Sequence, residues 1–160
     1  ELTMKPIIYL ETTIISYLTA RPSRDLIIAA HQQITQEWWD TQRNHYNLYV
    51  SQLVINEASK GDSAASERRL AVLNSIPLLA LSEPAITLSE QFILHHAVPK
   101  QAVEDALHIA LATIHGVDYL LTWNCKHIAN AERWSAIADV CNQQGYDPPI
   151  ICTPEGLLGE

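Results

Sequence analysis

The chain has 160 residues, of which 48% are hydrophobic and 18% charged, and its formal net charge is −8. That length suits one domain with a real hydrophobic core, and that balance excludes a disordered chain. The acidic charge argues against a protein that holds nucleic acid through a broad basic surface, but not against a nuclease whose bound cation resets the local field.

Strand and helix signals alternate along the chain, which predicts parallel βαβ units. Ile7–Leu10 is short, β-branched and aromatic, and reads as a buried strand. Helix signals follow over Thr12–Leu18 and break at Arg21-Pro22-Ser23. A long helix over Arg24–Arg43 places Ile27, Ala30, Ile34 and Trp38 at helical spacing. Leu48–Ser51 is the second strand, and Gln52–Lys60 is helical with Gly61 as its stop. Asp62 or Ser63 caps the next helix, which runs to Asn74. Ile76–Leu81 is a third strand, and Ser82-Glu83-Pro84 opens another helix with its proline early. After Pro99 comes the helix Gln101–His115, ended by Gly116. Val117–Trp123 is the fourth strand, Lys126–Val140 a helix, Ile150–Cys152 the last strand, and Thr153-Pro154-Glu155 a closing turn. The expected architecture is a three-layer α/β/α sandwich around a mostly parallel sheet of five strands, forming one domain over 4–160. Glu1-Leu2-Thr3 reads as a remnant or a short N-terminal extension.

No apolar run reaches the ~18 residues needed to span a bilayer, and no signal peptide is legible, so no membrane association is expected. Three widely spaced cysteines, Cys125, Cys141 and Cys152, favour reduced thiols in a cytoplasmic protein. Cys125 and His127 lack a second CxxC or HxxxH element, which argues against structural zinc. Neither GxGxxG nor GxxxxGKT follows the first strand, so dinucleotide and P-loop chemistry have no support.

The chemistry gathers at strand ends. Glu11 terminates the first strand, where a charge is costly inside a core but well placed at the ligand-binding edge of a parallel sheet. Glu57 follows the second strand, Asn124 follows the fourth, and Glu104 and Asp105 sit near the start of a helix. Carboxylates collected from distant segments repel one another unless a cation or protons neutralise them, and Mg²⁺ with oxygen ligands suits that need. Phosphodiester hydrolysis is the natural chemistry of such a site. The bland alternatives are a helix cap for Glu11, an exposed helix acid for Glu57, and dipole complementarity for Glu104 or Asp105. Successive helix residues point about 100° apart, so Glu104 and Asp105 are not expected to face one ion together. Asp105 and His108 share a face, so His108 is expected to orient Asp105, touch substrate or pack, rather than ligate. Of Trp38 and Trp39, one ring is expected in the core and the other partly exposed; Arg68-Arg69 reads as a solvated helix face.

These segments, in this order, resemble the motifs of the PIN-domain family. Tyr9-Leu10-Glu11-Thr12-Thr13-Ile14-Ile15-Ser16 resembles its opening motif, Val54-Ile55-Asn56-Glu57 its second, and Asp105-Ala106-Leu107-His108-Ile109-Ala110-Leu111-Ala112 its third. Leu120-Leu121-Thr122-Trp123-Asn124 resembles the fourth, and Ile151 to Leu158 the closing strand and turn. The likeness spans nearly the whole chain and is strongest to the VapC-like toxin branch. It implies a ribonuclease dependent on Mg²⁺ or Mn²⁺, with RNA as substrate, a homodimer, and a cognate antitoxin protein that blocks the site. It also implies that Glu11, Glu57 and Asp105 coordinate metal, with Asn124 as the fourth catalytic position and Thr13 and Thr122 as polar support.

Two residues depart from the family pattern. Glu11 stands where aspartate is usual, which moves the carboxylate outward by roughly 1.5 Å. Asn124 stands where a fourth acid is usual and carries no charge, so weaker metal binding is expected, first at a second position; Glu104 and Asn130 are the candidates to compensate. The competing expectations are a catalytically weakened PIN-like module that binds or regulates, and a different metal phosphohydrolase on a similar scaffold.

Overall fold

The computed structural model describes residues 4–159; the proposed extension Glu1-Leu2-Thr3 lies outside the described residues. Five parallel strands form one sheet: β1 (Ile7–Leu10), β2 (Asn47–Ser51), β3 (Leu78–Leu79), β4 (Tyr119–Leu121) and β5 (Ile150–Cys152), in the order β3-β2-β1-β4-β5. Seven α-helices are described: α1 (Thr12–Thr19), α2 (Leu26–Thr41), α3 (Gln52–Ala58), α4 (Ser63–Leu73), α5 (Glu83–Leu94), α6 (Val103–Ile114) and α7 (Ala131–Gln143). The expected α/β fold with its five-stranded parallel sheet is therefore present.

β1 lies at the centre and is covered on both faces. Ile8, Tyr9 and Leu10 are fully buried, as expected of a parallel strand. The chain moves outward through β2 to β3, then returns to the other side of β1 for β4 and β5. With right-handed crossovers, that reversal puts α1–α4 on one face and α5–α7 on the other. The packing agrees: α1 meets α2, α3 and α4, whereas α5 meets α6 and α7. Registers Tyr9↔Tyr49 and Leu10↔Leu121 bring the C-terminal ends of β1, β2 and β4 level at the reversal, the position where open parallel sheets bind ligands.

The core runs through Trp38, Phe92, Ile109, Leu111, Leu120 and Leu121, all fully buried, each such side chain contributing about 1.5–3 kcal/mol. Trp38 is in the core and Trp39 is half-buried beneath Arg43, whose guanidinium lies 4.9 Å from the ring centroid. Gly61 and Gly116 adopt φ of +86° and +64° just past α3 and α6, the left-handed turn-out that lets a helix end without Cβ strain. Several predicted elements are shorter than expected, among them the fourth strand, which pairs only over Tyr119–Leu121 rather than Val117–Trp123. The third strand pairs only at Leu78–Leu79, since Pro77 has no N–H to extend the ladder. The helix after β4 starts at Ala131, not Lys126. Asn124 first closes its own turn, its carbonyl accepting from the Ile128 and Ala129 amides at 3.2 and 2.8 Å.

Candidate metal centre

The sheet itself delivers Glu11. Its amide is still laddered to the Leu121 carbonyl at 3.0 Å, yet its side chain already caps α1, accepting from the Thr13 amide at 3.2 Å. The same oxygen, Oε1, accepts from the Thr13 hydroxyl at 2.5 Å and from the Thr122 hydroxyl at 2.6 Å. Glu11 is only 4% exposed, and three donors on one oxygen offset the desolvation of its charge and lock its rotamer. Oε2 accepts no hydrogen bond among the described residues. Thr13 and Thr122, expected as support, both touch Glu11 and also anchor the loop after β4. The Thr13 hydroxyl accepts from the Trp123 amide at 2.8 Å and the Thr122 hydroxyl from the Asn124 amide at 2.9 Å.

Glu57 arrives on α3, which Ser51 caps at the end of β2. Glu57 Oε1 accepts from the Thr12 hydroxyl at 2.5 Å and pairs with His108 Nε2 at 2.7 Å. His108 comes from α6 on the opposite face and is fully buried. Its Nδ1 bonds the Tyr9 hydroxyl at 2.7 Å, which in turn bonds the Ser51 hydroxyl at 2.7 Å. A carboxylate only accepts, so Nε2 donates to Glu57. The neutral ring then accepts from Tyr9 at Nδ1; the charged ring donates there, and the Tyr9 hydroxyl turns to donate to Ser51. Burial works against a charged His108, but the hydrogen bond to Glu57 and the charges of Glu11, Glu57 and Asp105 leave its pKa raised. Burial likewise opposes the Glu57 carboxylate, yet His108, Glu104 and Thr12 together hold its pKa down at about 2. Glu104 shows the converse: lying against Glu57, its carboxyl is pushed up.

One ligand atom from each of Glu11, Glu57 and His108 falls within 4.8 Å of the others, so this group could hold a metal ion. The donor set fits a cation: two carboxylates and an imidazole, with Glu11 Oε2 accepting no hydrogen bond among the described residues. His108 has both nitrogens committed, so its recruitment would break a hydrogen bond. Among the described residues no other such group of acidic, histidine and cysteine side chains occurs.

Asp105, expected as the third metal carboxylate, lies outside that group. It opens α6, and its Oδ1 accepts from Asn124 Nδ2 at 3.0 Å while Oδ2 pairs with His127 Nδ1 at 2.8 Å. Asn124 Oδ1 accepts from the His127 amide at 3.0 Å. The amide oxygen expected in place of a fourth acid is therefore engaged in closing this turn. The reason is chemical: an acid at 124 would repel Asp105, whereas an amide donates to it. His108 shares a helix face with Asp105 but hydrogen-bonds Glu57 instead. Glu104 is half-exposed and 3.9 Å from Lys60, a surface pair of little energetic weight. Asn130 does not turn to the site; its Oδ1 caps α7 at the Glu132 and Arg133 amides, and its Nδ2 bonds the Cys125 and Lys126 carbonyls.

Three contributors were not singled out from the sequence, Tyr9, Ser51 and Thr12, and His127 was weighed only as a zinc ligand with Cys125. Tyr9 and Ser51 gain their roles only from strand register. His127 left a signal, the Asn124-x-x-His127 spacing of a side chain capping the following turn. No protein-family model matches this chain, and no curated protein matches it. Among the described residues no helix is long and apolar enough to cross a membrane.

Proposed function

We propose that this chain is a divalent-metal-dependent endoribonuclease of the PIN type. In this reading it is the toxin of a type II toxin–antitoxin pair, a cytoplasmic homodimer blocked by its antitoxin. The observation that carries the reading is the asymmetry of Glu11, whose carboxylate offers a ligand atom within 4.8 Å of those of Glu57 and His108: one oxygen is locked by three donors and the other accepts no hydrogen bond among the described residues. A buried acid held this way is prepared for a cation, and oxygen donors favour Mg²⁺ or Mn²⁺. The ion would offset charge on the phosphoryl group as water displaces a ribose oxygen from phosphorus. Glu11 and Glu57 would hold it, Tyr9 and His108 would fix Glu57, and Asp105 would be the carboxylate in reserve.

Purified protein with Mn²⁺ is expected to cut single-stranded RNA, and Glu11→Gln to abolish cutting. Equal behaviour of the two proteins across varied RNAs would refute the enzyme. An adjacent reading frame whose product suppresses cleavage tests the toxin assignment.

A second reading, a weakened PIN-like module that binds or regulates, is favoured by one observation. Asn124 satisfies Asp105 without any cation. Calorimetry separates the two readings: Mn²⁺ binding that Glu11→Gln removes supports the enzyme, and no binding at millimolar metal supports the module.

A further inference from the structure

Three of the chain's ten lysines and arginines line one groove. It has a volume of about 450 Å³ and lies between the C-terminal end of α1, at Thr19 and Ala20, and the first turns of α4. Arg68 and Arg69 read from the sequence as a solvated face; in the fold both are half-buried. Arg68 Nε donates to the Thr19 carbonyl at 3.1 Å. Arg69 Nε donates to the Ala58 carbonyl at 2.9 Å and its Nη2 to the Lys60 carbonyl at 2.7 Å. Backbone carbonyls thus hold both forks in place without neutralising them. The terminal nitrogens of Arg68, and Nη1 of Arg69, have no protein acceptor among the described residues.

Arg21 is exposed and completes the groove. No ion pair involves any of the three among the described residues. The one carboxylate present, Asp62, spends Oδ2 on the Ala65 amide at the cap of α4. In a chain of net charge −8, this is a local reversal of sign. Guanidinium forks with spare, immobilised donors match phosphate oxygens better than a point charge does.

The groove is also placed for a polymer. Glu11 caps one end of α1 and Arg68 grips the carbonyl of Thr19 at the other. The eight residues between span about 12 Å at 1.5 Å each. We propose that the Arg21–Arg68–Arg69 groove binds a backbone phosphate of single-stranded RNA whose scissile phosphate lies at the Glu11–Glu57 centre, α1 setting the separation. This rests on the nuclease reading and supplies what the overall acidity lacks, a cationic foothold for the strand.

The test is fluorescence anisotropy with a labelled single-stranded RNA of about ten nucleotides, in EDTA, over a series of salt concentrations. Arg21→Gln and Arg68→Gln are each expected to weaken binding about five- to tenfold at about 50 mM salt, and to lower the slope of log affinity against log salt by about one. Lys5→Gln, before β1 at the opposite end of the sheet, is expected to change neither. If Arg68→Gln fails to fold, as a melting curve would reveal, Arg21→Gln decides alone, because the exposed Arg21 side chain makes no hydrogen bond among the described residues; only its backbone carbonyl does, accepting from Gln32 Nε2. Wild-type affinity and slope in the arginine variants, or an equal loss in Lys5→Gln, overturns the groove while leaving the nuclease standing. Wild-type protein that binds Mn²⁺ but no RNA overturns both.

Discussion

The two halves of the site are built on opposite principles. The Glu11–Glu57 half is drawn from β1, α1, β2, α3, α6 and the end of β4, with Glu11 and His108 buried and the Glu57 side chain 19% exposed, and its charges rest on a chain of hydroxyls and one imidazole. The Asp105–Asn124–His127 half is more open, with Asp105 and His127 side chains 21% and 17% exposed, and it satisfies itself. The first half leaves a Glu11 oxygen without a hydrogen bond among the described residues, whereas both Asp105 oxygens are taken. One residue makes the difference: the amide of Asn124 donates to Asp105, where a carboxylate would repel it. A cation is thus needed more by the first half than by the second.

The sharpest way to break the comparison is Glu11→Gln. It should lower Mn²⁺ affinity by more than about 100-fold by calorimetry, since a buried carboxylate oxygen with no hydrogen bond among the described residues is lost. Tyr9→Phe comes next. It leaves His108 Nδ1 and the Ser51 hydroxyl short of a partner, and should cost about 1–3 kcal/mol of stability and roughly tenfold in metal affinity. A metal affinity unchanged in Tyr9→Phe would show that the buried chain does not position Glu57. Asn124→Asp should destabilise the metal-free protein by about 1–2 kcal/mol, a fall of about 2–8 °C in melting temperature. Mn²⁺ should restore more stability to this variant than to the wild type; equal stabilisation would mean that Asp105 lies outside reach of the ion.

The pH profile of the metal-free protein reads the same half. Glu57 is depressed from 4.5 to about 2, so its contribution is present above pH 4.5 and fades as pH falls toward 2, by no more than about 3 kcal/mol. His108 is raised above 6.5, so its contribution is complete below pH 6.5 and is lost as pH rises through the raised value. Chemical unfolding should therefore find maximal stability between these limits, and Glu57→Gln should flatten both flanks. His127→Gln is expected to do least, changing Mn²⁺ affinity less than about threefold because its pair with Asp105 is partly solvated.

Much of this was legible residue by residue. β1 and β5 begin and end where their β-branched runs do, and Gly61 and Gly116 stop helices by the conformation only glycine adopts freely. Glu11 stood out because a charge at the end of a buried strand must be compensated. Asp105 and His108 were recognisable as neighbours on one helix face, but not as members of different hydrogen-bond sets. His108 reaches 51 residues back to Glu57 and 99 back to Tyr9. The arginines of α4 looked solvated because nothing local reveals that the carbonyl ends of α1 and α3 converge on them.

The sequence by itself determined the alternation of strands and helices, their caps and stops, and the set of acids at strand ends, because each depends on residues within a turn or two of one another. Only the tertiary structure decided which oxygen of Glu11 is free, which partner each histidine takes, and where cationic groups gather in an acidic chain. Those outcomes depend on strand register and on helices meeting from both faces of the sheet, and a hydrogen bond is made or lost over less than an ångström.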